Sequence, residues 1–104
     1  MNYKVYRTPQ FKKTYDKIPK TEKKIIANLL IKLSLNPHQG KPLKSYNLRE
    51  KRIGSRRVYY IICDDYLIVL MVSISSKKNQ QETIDMIDAL LPAYMDLVRK
   101  LSEK

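Results

Sequence analysis

Residues 48–60 read LREKRIGSRRVYY, and this stretch decides the fold. Gly54-Ser55 has the composition of a tight hairpin turn between two strand-like runs. Three such runs follow one another, at about 46–53, 57–63 and 67–75. Because only short turns separate them, the pattern predicts an antiparallel three-stranded meander. The second and third runs are almost continuously apolar, as expected for strands in the middle of a sheet that is covered by helices.

Helical signals precede this meander. Residues 2–7 alternate as a first strand, and Thr8-Pro9 then offers an N-cap followed by a proline suited to the first helical position. Pro19 is expected to end this short helix. A second, longer helix carries apolar residues at helical spacing, namely Ile25, Ile26, Leu29, Leu30, Leu33 and Leu35. The two helices are predicted to pack as an αα-hairpin.

A helical period returns from about residue 80. The apolar positions are Ile84, Ile87, Leu91, Tyr94, Val98 and Leu101. Pro92 is expected to kink or divide this helix. The pattern therefore predicts an α+β fold made of a β-strand, a helical hairpin, a three-stranded antiparallel meander and a C-terminal helix. The 104 residues suit one domain spanning residues 1–104.

Positive charge is concentrated in the first half of the chain. Residues 1–57 carry 16 Lys and Arg against 3 Asp and Glu, whereas the rest carries 5 against 7. Such a directional field attracts phosphates, so a polyanion is the predicted partner, with nucleic acid favoured and an acidic protein as the alternative. A membrane surface is disfavoured because the chain has no Trp and one Phe.

The remaining features favour a cytoplasmic protein. No apolar run approaches the roughly 18–20 residues of a membrane span, and the first residues lack the apolar stretch of a secretory signal. The single cysteine, Cys63, has no partner for an internal disulfide and is interpreted as a core residue. The lone His38 is interpreted as a surface residue of the loop at 36–42.

The meander is expected to gather cations at one end. Across the tight hairpin Arg52 comes near Arg57, and the antiparallel order brings Lys77 and Lys78 to the same place from the third strand. Clustered guanidinium groups suit a phosphate, which they bind as a bidentate fork. Glu50 is expected to hold one arginine in a structural ion pair. Tyr59 and Tyr60 point to opposite faces, so one of them is predicted to lie in the core. The other, expected to be Tyr60, is predicted to stack on a base at the edge of the cationic cluster.

This order of elements resembles the RelE/ParE toxin superfamily over roughly residues 2–84. The specific match is the pattern Leu-x-Glu-x-Arg-Ile-Gly-x-x-Arg-Val-x-Tyr within 42–60, followed by an apolar strand that ends in a basic pair. The RelE branch implied by this resemblance cuts mRNA in the ribosomal A site without a metal or other cofactor, the ribose 2′-OH attacking the adjacent phosphate. The resemblance gives catalytic roles to Arg57, Arg52 and Lys77. Around them, RNA contacts are expected from Arg49, Lys51, Arg56, Tyr60 and Lys78.

Two positions depart from the pattern of active RelE-like enzymes. Ser76 and Thr83 stand where relatives often carry a His or Lys and a Tyr. Either Lys51 and Lys77 are tuned for proton transfer, or Glu82 takes part, or the chain does not cut RNA. The alternatives are a ParE-like toxin that acts on DNA gyrase without nuclease activity and a catalytically degenerate RNA-binding relative. Both toxin readings imply a cognate antitoxin whose acidic or amphipathic segment covers the basic surface in a hetero-oligomer.

Overall fold

The computed structural model describes residues 2–103, which form five β-strands and three α-helices. The strands are β1 (Lys4–Arg7), β2 (Lys41–Pro42), β3 (Leu48–Ile53), β4 (Arg56–Cys63) and β5 (Ile68–Ser76). The helices are α1 (Pro9–Lys17), α2 (Lys20–Leu35) and α3 (Gln80–Ser102). Short 3-10 turns occupy Pro37–Gln39 and Asp64–Tyr66. The predicted α+β fold, with its meander and C-terminal helix, is confirmed.

All the strands join one mixed sheet in the order β1-β5-β4-β3-β2. The antiparallel meander β3-β4-β5 forms its centre, as predicted. Two pairings had no counterpart in the sequence reading: β1 lies parallel to β5, and the two-residue β2 pairs with β3 at the opposite edge. The alternation of polar and apolar residues identifies a strand but not the strand it pairs with. Lys4 and Ile68, which pair in β1 and β5, are far apart in the sequence, so no local pattern shows that they meet.

Helices cover both faces of this sheet. On the hairpin face, towards α1 and α2, Val58 and Tyr60 of β4 pack with Phe11 and Ile26. On the α3 face, Tyr59 and Ile61 pack with residues of α3 such as Ile87. The continuous apolar run of β4 follows from this arrangement, since each side chain meets a helix whichever way it points.

A β-bulge in β5 changes which side chains face α3. Tyr59 pairs with Ser73 while Tyr60 pairs with Met71, which leaves Val72 as an extra residue. The alternation of β5 is thereby reversed. Ser75, which would otherwise face the hairpin, shares the α3 face with Tyr59, and their hydroxyl oxygens lie 2.9 Å apart in a hydrogen bond.

The first helix begins where the sequence predicted. Thr8 is its N-cap, with Oγ1 accepting a hydrogen bond from the Phe11 amide at 3.1 Å, and Pro9 occupies the first turn. The Thr8 hydroxyl also donates to the carbonyl of Val72 at 3.1 Å. This one buried side chain therefore caps α1 and ties it to the bulge of β5.

Two expectations about the helices need correction. In α2, Ile26, Leu29 and Leu33 are buried, but Ile25 and Leu35 are 52% and 64% exposed, because the helix turns only one stripe towards the sheet. Pro92 does not divide α3, which is one helix of 23 residues with the proline inside. Apolar contacts from both halves of α3 to the sheet hold it together across the lost hydrogen bond.

Within the described part of the chain, no helix is both long and apolar enough to cross a bilayer.

Candidate functional site

The end of the sheet at the β3–β4 turn brings together the predicted cationic residues. Arg52 pairs with Arg57 in the register of β3 and β4, and Arg57 pairs in turn with Ser75 of β5. Lys77 and Lys78 directly follow β5, whose last residue pairs with Arg56. The structure thus places the two arginines and the two lysines at one end of the molecule.

The sheet nevertheless divides these cations between its two faces. Arg52 and Arg57 alternate in step with Leu48 and Tyr59, so they belong to the α3 face. Lys51 and Arg56 belong to the hairpin face. Arg56 Nε lies 2.9 Å from Glu22 Oε2 of α2 in a half-buried ion pair. The predicted RNA-contact set therefore does not form one continuous surface, and Arg56 is already occupied within the protein.

Arg57 is buried. Its side chain is 5% exposed, and that of Glu50, its neighbour on β3, is 6% exposed. Arg57 Nε lies 3.9 Å from Glu50 Oε1, which fits an electrostatic contact but exceeds the roughly 2.7–3.2 Å of a hydrogen bond. The expectation that Glu50 holds one arginine agrees with this arrangement, and the arginine it faces is Arg57, one of the three residues with an expected catalytic role.

Exposed cations surround this buried pair. Arg52, Lys77 and Lys78 are all exposed, and we call them the cationic rim. No carboxylate lies within ion-pair distance of them among residues 2–103. They are consequently the residues of the predicted site that an external phosphate can reach first.

Two other residues that were predicted to contact RNA, Arg49 and Tyr60, have structural roles. Arg49 Nη1 donates to the carbonyls of His38 and Gly40 at 3.1 and 2.8 Å and so holds the loop before β2. Tyr60 is fully buried, and its hydroxyl donates to the Pro37 carbonyl at 2.8 Å and accepts from the Gly40 amide at 3.1 Å. Tyr59 is also fully buried. The expectation that Tyr60 stacks on a base is therefore wrong, because neither ring has a free face.

Gln80 is a residue of the site that the sequence reading missed. It is the first residue of α3, and its Nε2 donates to Glu50 Oε2 at 2.5 Å. The hydrogen bond joins β3 to α3 between two residues that are 30 positions apart in the sequence, so no local sequence pattern predicts it. Gln80 therefore connects the buried charge pair to the start of the C-terminal helix.

The positions that depart from active relatives differ in exposure. Ser76 is exposed at the end of β5. Thr83 is buried, and its hydroxyl donates to the Asn79 carbonyl at 2.8 Å, which turns it away from solvent. Glu82 is exposed in the first turn of α3 and lines a surface groove together with Gln10 and Met86. Of these three residues, Glu82 is the one with an exposed ionisable side chain.

His38 and Cys63 lie at the opposite end of the sheet from the cationic rim. His38 is exposed, as predicted, with Nε2 3.4 Å from Asp64 Oδ1. Cys63 is half-buried against the α3 face, and burial, reinforced by the charges of Asp64 and Asp65, raises the pKa of its thiol to about 11. Among residues 2–103, no group of three or more His, Cys, Asp or Glu side chains is arranged to hold a metal ion.

Known proteins resemble this chain in sequence pattern and in fold. Residues 5–81 match the family model described as the ParE toxin of the type II toxin–antitoxin system parDE. No curated protein sequence matches the chain.

Solved structures share the fold at low sequence identity. A mutant of the Escherichia coli toxin RelE in the free state has a TM-score of 0.69 and 17% identity, covering 84% of this chain and 99% of its own. The RelBE2 toxin–antitoxin complex of Mycobacterium tuberculosis gives a TM-score of 0.66 and 23% identity, covering 74% of this chain and 100% of the matched one. For the RelE–RelB complex of the archaeon Pyrococcus horikoshii, the TM-score is 0.66 and the identity 18%, with coverages of 74% and 97%.

The matched region runs from β1 into the first turn of α3 and so includes the helical hairpin, the whole meander and the cationic rim. Because the family model spans most of the chain and the fold agrees with RelE structures, this protein belongs to the RelE/ParE superfamily of type II toxin–antitoxin toxins.

Proposed function

We propose that this toxin cleaves mRNA in the ribosomal A site, without a metal ion, and so stops translation in the cytoplasm. The observation that supports the proposal is the cationic rim beside Arg57. Arg52 lies opposite Arg57 on paired strands, and Lys77 arrives from β5 at the same end of the sheet. Charge at the scissile phosphate is a main barrier in phosphoryl transfer, and several cations at one place reduce it.

The reaction consists of one displacement at phosphorus. The ribose 2′-oxygen forms a bond to the adjacent phosphate, and the bond from phosphorus to the 5′-oxygen breaks. The products are a 2′,3′-cyclic phosphate and a 5′-hydroxyl end. The 2′-hydroxyl loses its proton, and the departing 5′-oxygen gains one. Arg52 and Arg57 are proposed to stabilise the charged phosphate, with Lys77 beside them.

The two proton transfers need groups that reach the rim. Thr83 is occupied by the Asn79 carbonyl, and Lys51 lies on the hairpin face, away from Arg57. Glu82 in the first turn of α3 and Lys77 in the segment before it remain as exposed ionisable groups. We propose Glu82 as the proton acceptor and Lys77 as the donor to the leaving oxygen, because a base and an acid are both required.

Expression of the chain in bacterial cells tests this proposal. We expect growth arrest together with mRNA fragments that carry new 5′-hydroxyl ends, located by sequencing after ligation selective for those ends. Arg57→Ala and Lys77→Ala should relieve the arrest and remove the fragments, whereas Lys24→Ala on the exposed side of α2 should leave both. An arrested culture with intact mRNA would show that the chain is not a ribonuclease.

A second candidate is a toxin that acts on DNA gyrase without cleaving RNA. Two observations favour it: the matched family model is that of the ParE toxin, and Thr83 is buried where active RelE-like enzymes often carry a Tyr. In that case, arrested cells would show gyrase-linked DNA breaks while translation at first continues. Harmless expression with RNA binding retained would instead identify a degenerate binding relative.

We further propose that a cognate antitoxin binds the chain. The similar solved structures include the RelBE2 and RelE–RelB complexes, and the first 57 residues of this chain carry a large positive excess that an acidic segment can neutralise. A small open reading frame next to the gene is the expected source. Co-expression should abolish growth arrest and yield a complex in which both proteins elute together, and independent elution would contradict this.

A further inference from the structure

Glu50 and Arg57 are two buried, oppositely charged residues that lie too far apart for a hydrogen bond. Both side chains are nine-tenths or more buried on neighbouring strands. Charge-assisted hydrogen bonds between such groups usually measure about 2.7–2.9 Å, yet the closest approach here is 3.9 Å. Arg57 Nε has no hydrogen-bond partner among residues 2–103. Glu50 thus neutralises Arg57 electrostatically but leaves at least one of its donors unused.

Glu50 is held by a different residue. Its Oε2 accepts a hydrogen bond from Gln80 Nε2 at 2.5 Å, and Gln80 begins α3. The turn that precedes Gln80 carries Lys77 and Lys78, so the same few residues supply part of the cationic rim and the anchor of Glu50. Gln80 therefore links the position of the Glu50 carboxylate to the segment that carries Lys77 and Lys78.

The sheet around the pair is fixed by other contacts. Arg57 of β4 pairs with Arg52 of β3 and with Ser75 of β5. The hydrogen bond between the Ser75 and Tyr59 hydroxyl groups also joins β4 to β5. A buried arginine with an unused donor gains strongly from a phosphate, which offers bidentate, charge-assisted hydrogen bonds that the distant carboxylate does not.

We propose that Glu50 is an internal competitor that holds Arg57 in a resting position, secured by Gln80, until an RNA phosphate replaces the carboxylate as the partner of Arg57. This inference rests on the proposed function, since it takes the ligand to be RNA. Glu50 is a positioning residue in this scheme: it acts through Arg57 and does not touch the RNA. Removing its charge should therefore strengthen RNA binding.

The chain supplies a matched control for this test. Glu50→Gln and Glu22→Gln each remove one carboxylate beside an arginine, Arg57 in the first case and its neighbour Arg56 on the opposite face in the second. Both variants gain the same net charge. Binding of a fluorescent single-stranded RNA oligonucleotide is measured by anisotropy across a salt series. Glu50→Gln should bind about tenfold more tightly than Glu22→Gln, as expected for a gained charged hydrogen bond, with a salt slope steeper by about 0.7.

A second measurement avoids variants that fold poorly, since Glu50→Gln leaves the buried charge of Arg57 without a counter-charge. In the unaltered protein, the Arg57 Nε–H group is followed by nitrogen NMR during titration with the same oligonucleotide. Its signal should shift as the complex forms, and Gln80→Ala, which keeps both charges, should reach half-saturation at a lower RNA concentration.

The outcomes separate the two proposals. Equal affinity of Glu50→Gln and Glu22→Gln, or an Arg57 signal unchanged at saturating RNA, overturns the competitor role while RNA binding stands. Failure of the unaltered protein and of both variants to bind RNA overturns the competitor role, whereas the proposed function is decided by the mRNA fragments in expressing cells. RNA binding seen only after Glu50→Gln supports the competitor role directly.

Discussion

Arg52 and Arg57 lie directly opposite each other in the register of β3 and β4, but Arg52 is exposed whereas Arg57 is 4% exposed. From the strand register alone, the two arginines would be expected to be equally exposed to solvent. The two differ in their surroundings, since Arg57 lies beside the buried Glu50, which Gln80 at the start of α3 holds through a hydrogen bond. Of the two arginines, Arg52 is therefore the one that solvent reaches.

The salt dependence of RNA binding should identify the rim. Arg52→Ala and Lys77→Ala should each lower the slope of log K against log salt by about 0.7, because each removes one phosphate contact to a single strand. Lys24→Ala, which removes the same charge from the exposed side of α2, should leave both the affinity and the slope nearly unchanged. Anisotropy at four salt concentrations measures this, and identical slopes for the three variants would place the RNA elsewhere.

The Thr8 hydroxyl should contribute measurably to stability. Thr8→Ala removes the N-cap of α1 and leaves the carbonyl of Val72 without its buried donor, so we expect a loss of about 1–2 kcal/mol in the free energy of unfolding. Urea denaturation followed by circular dichroism measures it. Thr8→Ser, which retains the hydroxyl, should lose less than half as much, and a loss equal to that of Thr8→Ala would remove the hydroxyl from the explanation.

Gly40 should tolerate no side chain. A Cβ at this position would overlap Tyr60 Oη, which is itself fixed by hydrogen bonds to Gly40 and Pro37. Gly40→Ala should therefore lower the free energy of unfolding by about 1–3 kcal/mol. Because Tyr60→Phe removes the overlapping oxygen, the double variant should lose less than the sum of the single losses. Additive losses would show that the two residues do not compete for space.

The Cys63 thiol should be unreactive at neutral pH. Burial, and then the charges of Asp64 and Asp65, raise the pKa of this thiol to about 11, so the neutral form prevails up to about pH 10. The rate of alkylation by iodoacetamide in the folded protein should rise about tenfold per pH unit between pH 7 and 10. Asp64→Asn with Asp65→Asn should shift the profile to lower pH but only in part, because burial is the larger cause. A plateau near pH 8.5 would contradict the raised pKa.

Acid should weaken the contact between α3 and the loop before β3. The hydrogen bond from the Tyr46 hydroxyl is the main cause that lowers the pKa of Asp88; partial burial opposes it, and Lys44 reinforces it. Since the folded pKa lies below the unfolded value of about 3.9, the contribution is complete above that value and is lost as the pH falls through the folded pKa. Wild type should thus be more stable than Asp88→Asn at pH 7 and lose that advantage as the pH falls through the folded pKa of Asp88.

The control for this pH dependence is Tyr46→Phe. It keeps the Asp88 carboxylate and the Lys44 ion pair but removes the hydrogen bond that contributes most to the lowered pKa. Urea titrations at pH 7 and pH 3 should show a smaller difference between the two pH values for Tyr46→Phe than for the wild type. A larger difference would mean that the Tyr46 hydroxyl does not favour the charged carboxylate.

Much of the fold was predictable from short stretches of sequence. Alternation marked the strands of the meander, Gly54-Ser55 marked the hairpin turn, and Thr8-Pro9 marked the start of α1. Each signal depends on the sterics of a few neighbouring residues, so it can be read locally. The site was predictable to a lesser degree: the register that sets Arg52 opposite Arg57 follows from the length of the turn, but their burial does not.

The LREKRIGSRRVYY stretch shows where the division lies. By itself it determined a hairpin with a cationic tip and alternate residues on opposite faces, because backbone geometry gives a strand its period of two. Only the tertiary structure decided that Arg56 pairs with Glu22 and that Arg57 is buried beside Glu50 and α3. Exposure and ion pairing depend on which distant segments pack against a strand, and that is a property of the whole chain.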